Sequence, residues 1–206
     1  ALNLDGGGST AAGVTYPGYA SGATANVPSD GKLRECANFI FLVRQKQDAG
    51  AASKLYLYPF GGYALPGAKL TMTIKAADSS YMAAAVPTSV TFGGTNVTQT
   101  SGSTVTVEPG ARGAATVTAA AGGLRATASF AIPSAQTSIT IKHEGKNTPL
   151  TTLRVAGGST TDLTATAWYY GNQVYSADES FTWAVSDGLG ELSESGVFTA
   201  AKTGTE

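Results

Sequence analysis

The spacing of hydrophobic and polar positions changes character three times along the chain. Positions 37–43 form a short, mainly apolar run around Phe39, Ile40 and Phe41, with Asn38 its one polar residue and with the length and aromatic content of a strand covered on both faces. Positions 1–4 are similarly apolar, and a Gly-rich loop and a polar irregular stretch separate the two runs. Two such strands, with little else in 1–44 to cover them, predict that most of their sheet lies outside this sequence. Positions 44–53 are small and polar with no apolar period, which predicts a linker.

From position 54 the period becomes two. Leu70, Met72, Ile74 and Ala76 alternate with Thr71, Thr73 and Lys75, the pattern of a half-buried strand. Val90 and Phe92, then Val97, then Val105 and Val107 follow in the same manner, and 115–120 and 124–132 flank Gly122-Gly123 as a closing hairpin. The pattern restarts at 138 with Ile139 and Ile141. Leu153 and Val155 follow, then the alternation Leu163, Ala165, Ala167, Tyr169 and a turn at Gly171-Asn172. Phe181, Trp183 and Val185 share one face, with Trp183 the expected core tryptophan. Short strands with turn signals every ~8–12 residues predict sandwich architecture. The second sandwich is expected to be clipped by about one strand of ~5–6 residues.

Composition narrows the possible partners. Among 206 residues only 13% are charged, and 13 Lys+Arg against 14 Asp+Glu leave a net charge of -1. Such a chain has no general attraction for phosphate backbones or anionic lipid, which argues against nucleic acid and membrane surfaces, and no run approaches the ~18 apolar residues of a transmembrane helix, so no membrane insertion is expected. One cysteine, Cys36, allows no intrachain disulfide and is read as a small buried hydrophobe.

Two resemblances give these segments names. Phe181-Thr182-Trp183-Ala184-Val185-Ser186 followed by the stretch from Gly188 to Gly196-Val197-Phe198-Thr199-Ala200 resembles the bacterial Ig-like repeat of the group 2 type. The preceding sandwich resembles the same class more loosely. Asn3-Leu4-Asp5-Gly6-Gly7-Gly8-Ser9-Thr10, with Pro28-Ser29-Asp30-Gly31 and Arg34-Glu35-Cys36-Ala37-Asn38 downstream, resembles the end of the phosphodiester glycosidase family, that of the lysosomal uncovering enzyme. Cys36, in place of a small aliphatic residue, and the Ala11-Ala12 pair depart from that pattern without removing a polar group.

The expected fold class is therefore mainly β: two tandem Ig-like β-sandwiches, 45–134 and 135–206, preceded by 1–44 as the remnant of a larger mixed α/β catalytic domain. The resemblance implies that 1–44 walls a sugar-phosphodiester site. Asp5 is the catalytic candidate, its role unassigned because a partner carboxylate would lie outside this sequence. Gly6, Gly7, Gly8, Ser9, Arg34 and Asn38 are the substrate-binding candidates. The chemistry suits them. Glycines let backbone N–H groups approach an anion, Ser9 adds a hydroxyl, and Arg34 can grip a phosphodiester with two hydrogen bonds. Asn38 can hydrogen-bond a sugar hydroxyl.

Plainer readings stand beside these. Asp-Gly-Gly-Gly is also an ordinary loop, and it is no Walker A loop, since no Gly-Lys-Ser/Thr follows. Arg34 can be a surface ion. The single His143 makes neither a zinc cluster nor a Ser-His-Asp triad, and it is read as a solvated strand residue. Asp178, Glu179, Asp187, Glu191 and Glu194 are read as a solvated face rather than a calcium site. Of Trp168, Tyr169, Tyr170 and Tyr175, alternation sends about half into the core.

The functional expectation is the C-terminal part of a secreted bacterial phosphodiester glycosidase with Ig-like accessory modules, inactive by itself and needing no cofactor. Its expected partners are a glycan or sugar-phosphodiester substrate and the rest of the catalytic domain packed on 1–44. It is expected outside the cell or on the cell surface. The alternative is a non-catalytic adhesion, spacer or carbohydrate-binding module.

Overall fold

The computed structural model describes residues 11–26, 31–32, 49–146 and 148–202. Strands hold 48% of them, and helix is reduced to a single 3-10 turn at Asp178–Ser180. The protein is mainly β, built of several antiparallel sheets, as the period of two predicts.

A four-stranded sheet runs in the order Gly61–Tyr63, Leu124–Ile132, Gly113–Ala121, Thr91–Thr95. Its edge strand Gly61–Tyr63 pairs in parallel with 129–131. Lys69–Thr71, Thr104–Val107 and Val97–Ser101 form an antiparallel three-stranded sheet. A second three-stranded sheet joins Lys54–Tyr58, Thr73–Ala77 and Ala83–Ala84. The largest sheet runs Ser138–His143, Thr160–Tyr169, Val197–Ala200, Gly190–Leu192, with Asn172–Val174 also on Thr160–Tyr169. Gly13–Val14 and Ala23–Thr24 make a two-stranded hairpin.

The chain divides into two compact units. One comprises Ala1–Tyr56, Ile74–Val90 and Ala120–Ala126. Within it, Ala76 and Ala77 are fully buried beside Asp78, the buried charged residue among those described. Asp78 Oδ1 accepts the N–H groups of Ser80 (2.8 Å) and Met82 (2.9 Å), and Oδ2 that of Gly50 (2.9 Å). The carboxylate thereby satisfies turn amides that the sheet cannot reach. Lys54 Nζ lies 3.2 Å above the Tyr81 ring and Lys75 Nζ 4.6 Å above that of Tyr19.

The other unit comprises Leu57–Thr73, Thr91–Ala119 and Thr127–Glu206. Leu70, Met72, Val105, Val107, Val117 and Phe130 are its fully buried large side chains, with Val174. Two smaller clusters lie further along the chain. Leu65, Ala167 and Val174 pack with Tyr63, Tyr169 and Phe181. Leu163, Phe198 and Ala200 pack with Trp183, Val185, Leu153, Val155 and others. Trp183 is thus a core tryptophan, although it is only half-buried, and its indole N–H is buried without a hydrogen-bond partner.

Three expectations shift in detail. The alternating run around Met72 is two strands belonging to two sheets, with the Met72 N–H donating to Ser103 O at the end of the first pairing. The hairpin predicted at Gly171-Asn172 turns one residue earlier. Tyr170 (φ 47°) and Gly171 (φ 79°) occupy the left-handed positions of a two-residue turn, and Asn172 opens the next strand. Phe181, Trp183 and Val185, like Leu153 and Val155, alternate in burial with their exposed neighbours, yet neither stretch is in a ladder. Alternation specifies which side chains are covered; a ladder also needs a strand opposite.

Candidate functional site

The residues singled out for chemistry, Asp5, Gly6, Gly7, Gly8, Ser9, Arg34 and Asn38, lie outside the described residues, as does Cys36. His143 ends the strand Ser138–His143, half-buried, with Nδ1 3.2 Å from Thr161 Oγ1. Among the described residues no group of three or more His, Cys, Asp and Glu side chains is placed to hold a metal ion.

One concave region within the second unit does combine polar groups from distant parts of the sequence. It is a cleft of about 400 Å³ lined by Lys69, by Thr164, Ala165 and Thr166, and by 173–179. Its origin lies in backbone pairing. On one side of Thr160–Tyr169, Asn172–Val174 pairs with 167–169 and Val197–Ala200 with 160–162, with Leu163 N–H reaching Gly196 O. Between those ladders, Thr164, Ala165 and Thr166 have a strand opposite only on the Ser138–His143 side. Thr164 and Thr166 direct their backbone groups to that strand, so alternation turns the Ala165 N–H and C=O toward the gap.

The gap stays open because the chain leaves the sheet at Tyr175. Tyr175 N–H donates to Tyr63 O and its carbonyl accepts from Leu65 N–H, both at 2.8 Å, forming a parallel bridge centred on Ala64. The Tyr175 ring meets fully buried Phe130 edge-on at 5.7 Å, and its Cε2 is so near Gly62 that a Cβ there would touch it at 3.4 Å. Tyr175 is thereby held in place while 40% of it stays exposed.

Beyond Tyr175 the 3-10 turn is tied by Ala177 N–H to Ser180 Oγ (3.1 Å) and places two carboxylates at the rim. Glu179 Oε1 takes a 3.3 Å hydrogen bond and ion pair from Lys69 Nζ. A hydrogen bond from its own backbone N–H, followed by Lys69, holds the Glu179 carboxyl below the ordinary carboxylate range. Asp178 shifts the other way. Partial burial, then the charges of Glu179, Asp162 and Glu144, raise it, with Lys69 opposing.

The four aromatic residues divide between half-buried and exposed positions, and Tyr169 packs against the Leu65, Ala167 and Val174 cluster. Trp168 and Tyr169 are half-buried, Tyr170 is 77% exposed at the hairpin apex, and Tyr175 is exposed, so none of the four is fully buried. Tyr63, Tyr169 and Tyr170 make a chain of rings 4.9 and 4.8 Å apart, at interplanar angles of 53° and 78°. Rings crossed at such angles pack on each other and do not present a flat stacking row. Trp168 donates its indole N–H to Thr140 Oγ1 at 3.0 Å.

Of the cleft residues, only Asp178, Glu179 and Tyr175 belong to groups that stand out in the sequence. Lys69, Thr164, Thr166 and Gln173 carry no local signal, because pairing across 110 positions brings Lys69 to Glu179. No family model matches this chain, and no curated protein matches it. No helix among the described residues is long and apolar enough to cross a membrane.

Proposed function

We propose that the chain is the C-terminal part of a secreted bacterial phosphodiester glycosidase, in which residues 1–44 wall the sugar-phosphodiester site and Ig-like modules follow as accessory domains. The observation carrying this reading is the string Asn3-Leu4-Asp5-Gly6-Gly7-Gly8-Ser9, with Arg34 and Asn38 downstream and an apolar strand pattern after them. An anion-binding glycine loop and a guanidinium suit a substrate whose leaving group is a phosphodiester. The mainly antiparallel sheets from 54 onward suit non-catalytic modules of the Ig-like class, with the Trp183 and Gly196-to-Ala200 pattern in the second of them. In this reading the chain alone does not turn over substrate.

The test is hydrolysis of an N-acetylglucosamine phosphodiester, measured for this chain and for the protein of the complete reading frame. Turnover by the complete frame, lost in Arg34→Ala and in Asp5→Asn, supports the reading. A reading frame that begins near Ala1, or a complete-frame protein without turnover, removes it.

A second reading, a surface spacer or adhesion module, draws on a different observation. The parallel bridge between Tyr175 and the Tyr63 and Leu65 backbone, backed by the Leu65, Ala167 and Val174 cluster, fixes two stretches of chain far apart in sequence. A rigid attachment of that kind suits a spacer. Adhesion to host or bacterial surfaces by the chain, with no hydrolase activity in the complete frame, favours it over the first.

A further inference from the structure

We propose that the cleft between Lys69, Thr164–Thr166 and 173–179 is a binding site for a neutral saccharide. The pairing gap supplies a backbone donor and acceptor, the N–H and C=O of Ala165, at a point where neither flanking ladder reaches. Around them the lining residues include Thr164, Thr166 and Ser176, which carry hydroxyls, Gln173, which carries an amide, and the carboxylates Asp178 and Glu179. Such a mixture of donors and acceptors matches adjacent hydroxyls on a pyranose ring, each of which gives one hydrogen bond and accepts others. A volume of about 400 Å³ is in the range of small-ligand sites.

Charge and register weigh against the competing ligand classes. Two carboxyls face one ammonium at the rim, and Asp162 and Glu144 add to the negative field that raises Asp178. A phosphosugar or uronic acid would enter against that field. An extended peptide adding as a strand needs a run of open backbone, whereas between Leu163 and Ala167 only Ala165 turns its N–H and C=O to the open side. The site is also pre-formed, because the Tyr175 backbone is fixed by Tyr63 and Leu65, and its ring by Phe130. The proposal is independent of the glycosidase reading: it concerns this chain alone and reads binding, not turnover.

The experiment is an amide chemical-shift titration of the 206-residue chain with N-acetylglucosamine, cellobiose and maltose, with glucuronate and an extended peptide alongside. The expected result is saturable binding of at least one neutral sugar with Kd on the order of 1 mM. Shifts should fall on 164–166 and 173–179. Gln173→Ala should weaken it about five- to tenfold without changing the melting temperature. Tyr170→Asn, at the hairpin apex outside the cleft, should leave it intact. The proposal is overturned if no neutral sugar shifts those amides. It fails equally if glucuronate or the peptide binds there instead, or if Tyr170→Asn removes binding while Gln173→Ala does not.

Discussion

Asp78 shows how much one side chain can contribute where the backbone makes no ladder. Three amides, those of Gly50, Ser80 and Met82, rely on its two oxygens, and it is buried. Asp78→Ala should destabilise the protein by about 2–3 kcal/mol, read from chemical denaturation, since three charge-assisted bonds from part-buried or exposed amides to one buried carboxylate are lost together. Asp178 is the contrasting case. Its carboxyl is raised in the folded protein, so the folded state holds the proton more tightly than the unfolded chain. That advantage is present at low pH and disappears as pH rises from the ordinary carboxylate value through the raised one. Asp178→Asn should therefore be neutral or stabilising by less than about 1 kcal/mol at pH 7, solvent around the partly exposed carboxyl screening most of the effect. Its difference from wild type should fade below the carboxylate range. A clear loss of stability at pH 7 would contradict the assigned cause.

Glycine enforces a close approach at Gly196. With φ 85°, it lies so near Leu163 that a Cβ would overlap the Leu163 carbonyl oxygen and come within 3.1 Å of Trp183 Cζ2. Gly196→Ala should cost about 2 kcal/mol or more, combining left-handed strain with a clash against backbone that cannot move aside.

At the scale of elements, the contacts around Leu65 and Lys69 differ in weight. Leu65 is 3% exposed among Ala167, Val174 and their neighbours, so Leu65→Ala should cost about 2–4 kcal/mol through lost burial and a cavity. Lys69 and Glu179 are mostly exposed, and Lys69→Ala should cost less than about 1 kcal/mol. Parallel urea titrations of the two variants compare the terms directly. A larger loss for Lys69→Ala would mean that the ion pair, not the apolar cluster, holds this part of the chain. Elements were also where the sequence was most legible. The strand Thr160–Tyr169 and the pair flanking Gly122-Gly123 stand where alternation and turn residues place them. Phe181 to Val185 has the alternation without the strand, because nothing local encodes whether a partner will lie opposite. The cleft was illegible for the same reason. Its existence depends on where two ladders end, which is decided by Tyr175 turning toward Tyr63 and Leu65, not by the identities of Thr164 or Gln173.

For the whole molecule, mainly β architecture followed from composition and period together: few charges, many β-branched residues and frequent glycine. The candidate glycosidase residues, in contrast, were legible only as a motif, and Asp5, Arg34 and Asn38 lie outside the described residues. Near-neutral charge also predicts that unfolding midpoints change little with moderate salt, since the cores are apolar and the described ion pair is exposed. The Tyr175 bridge has a consequence of its own. The amides of Leu65 and Tyr175 donate into the same bridge, from positions distant in the chain. Neither can meet solvent deuterium until both segments separate, so under native conditions the two should exchange at a common free energy of opening, one event recorded twice.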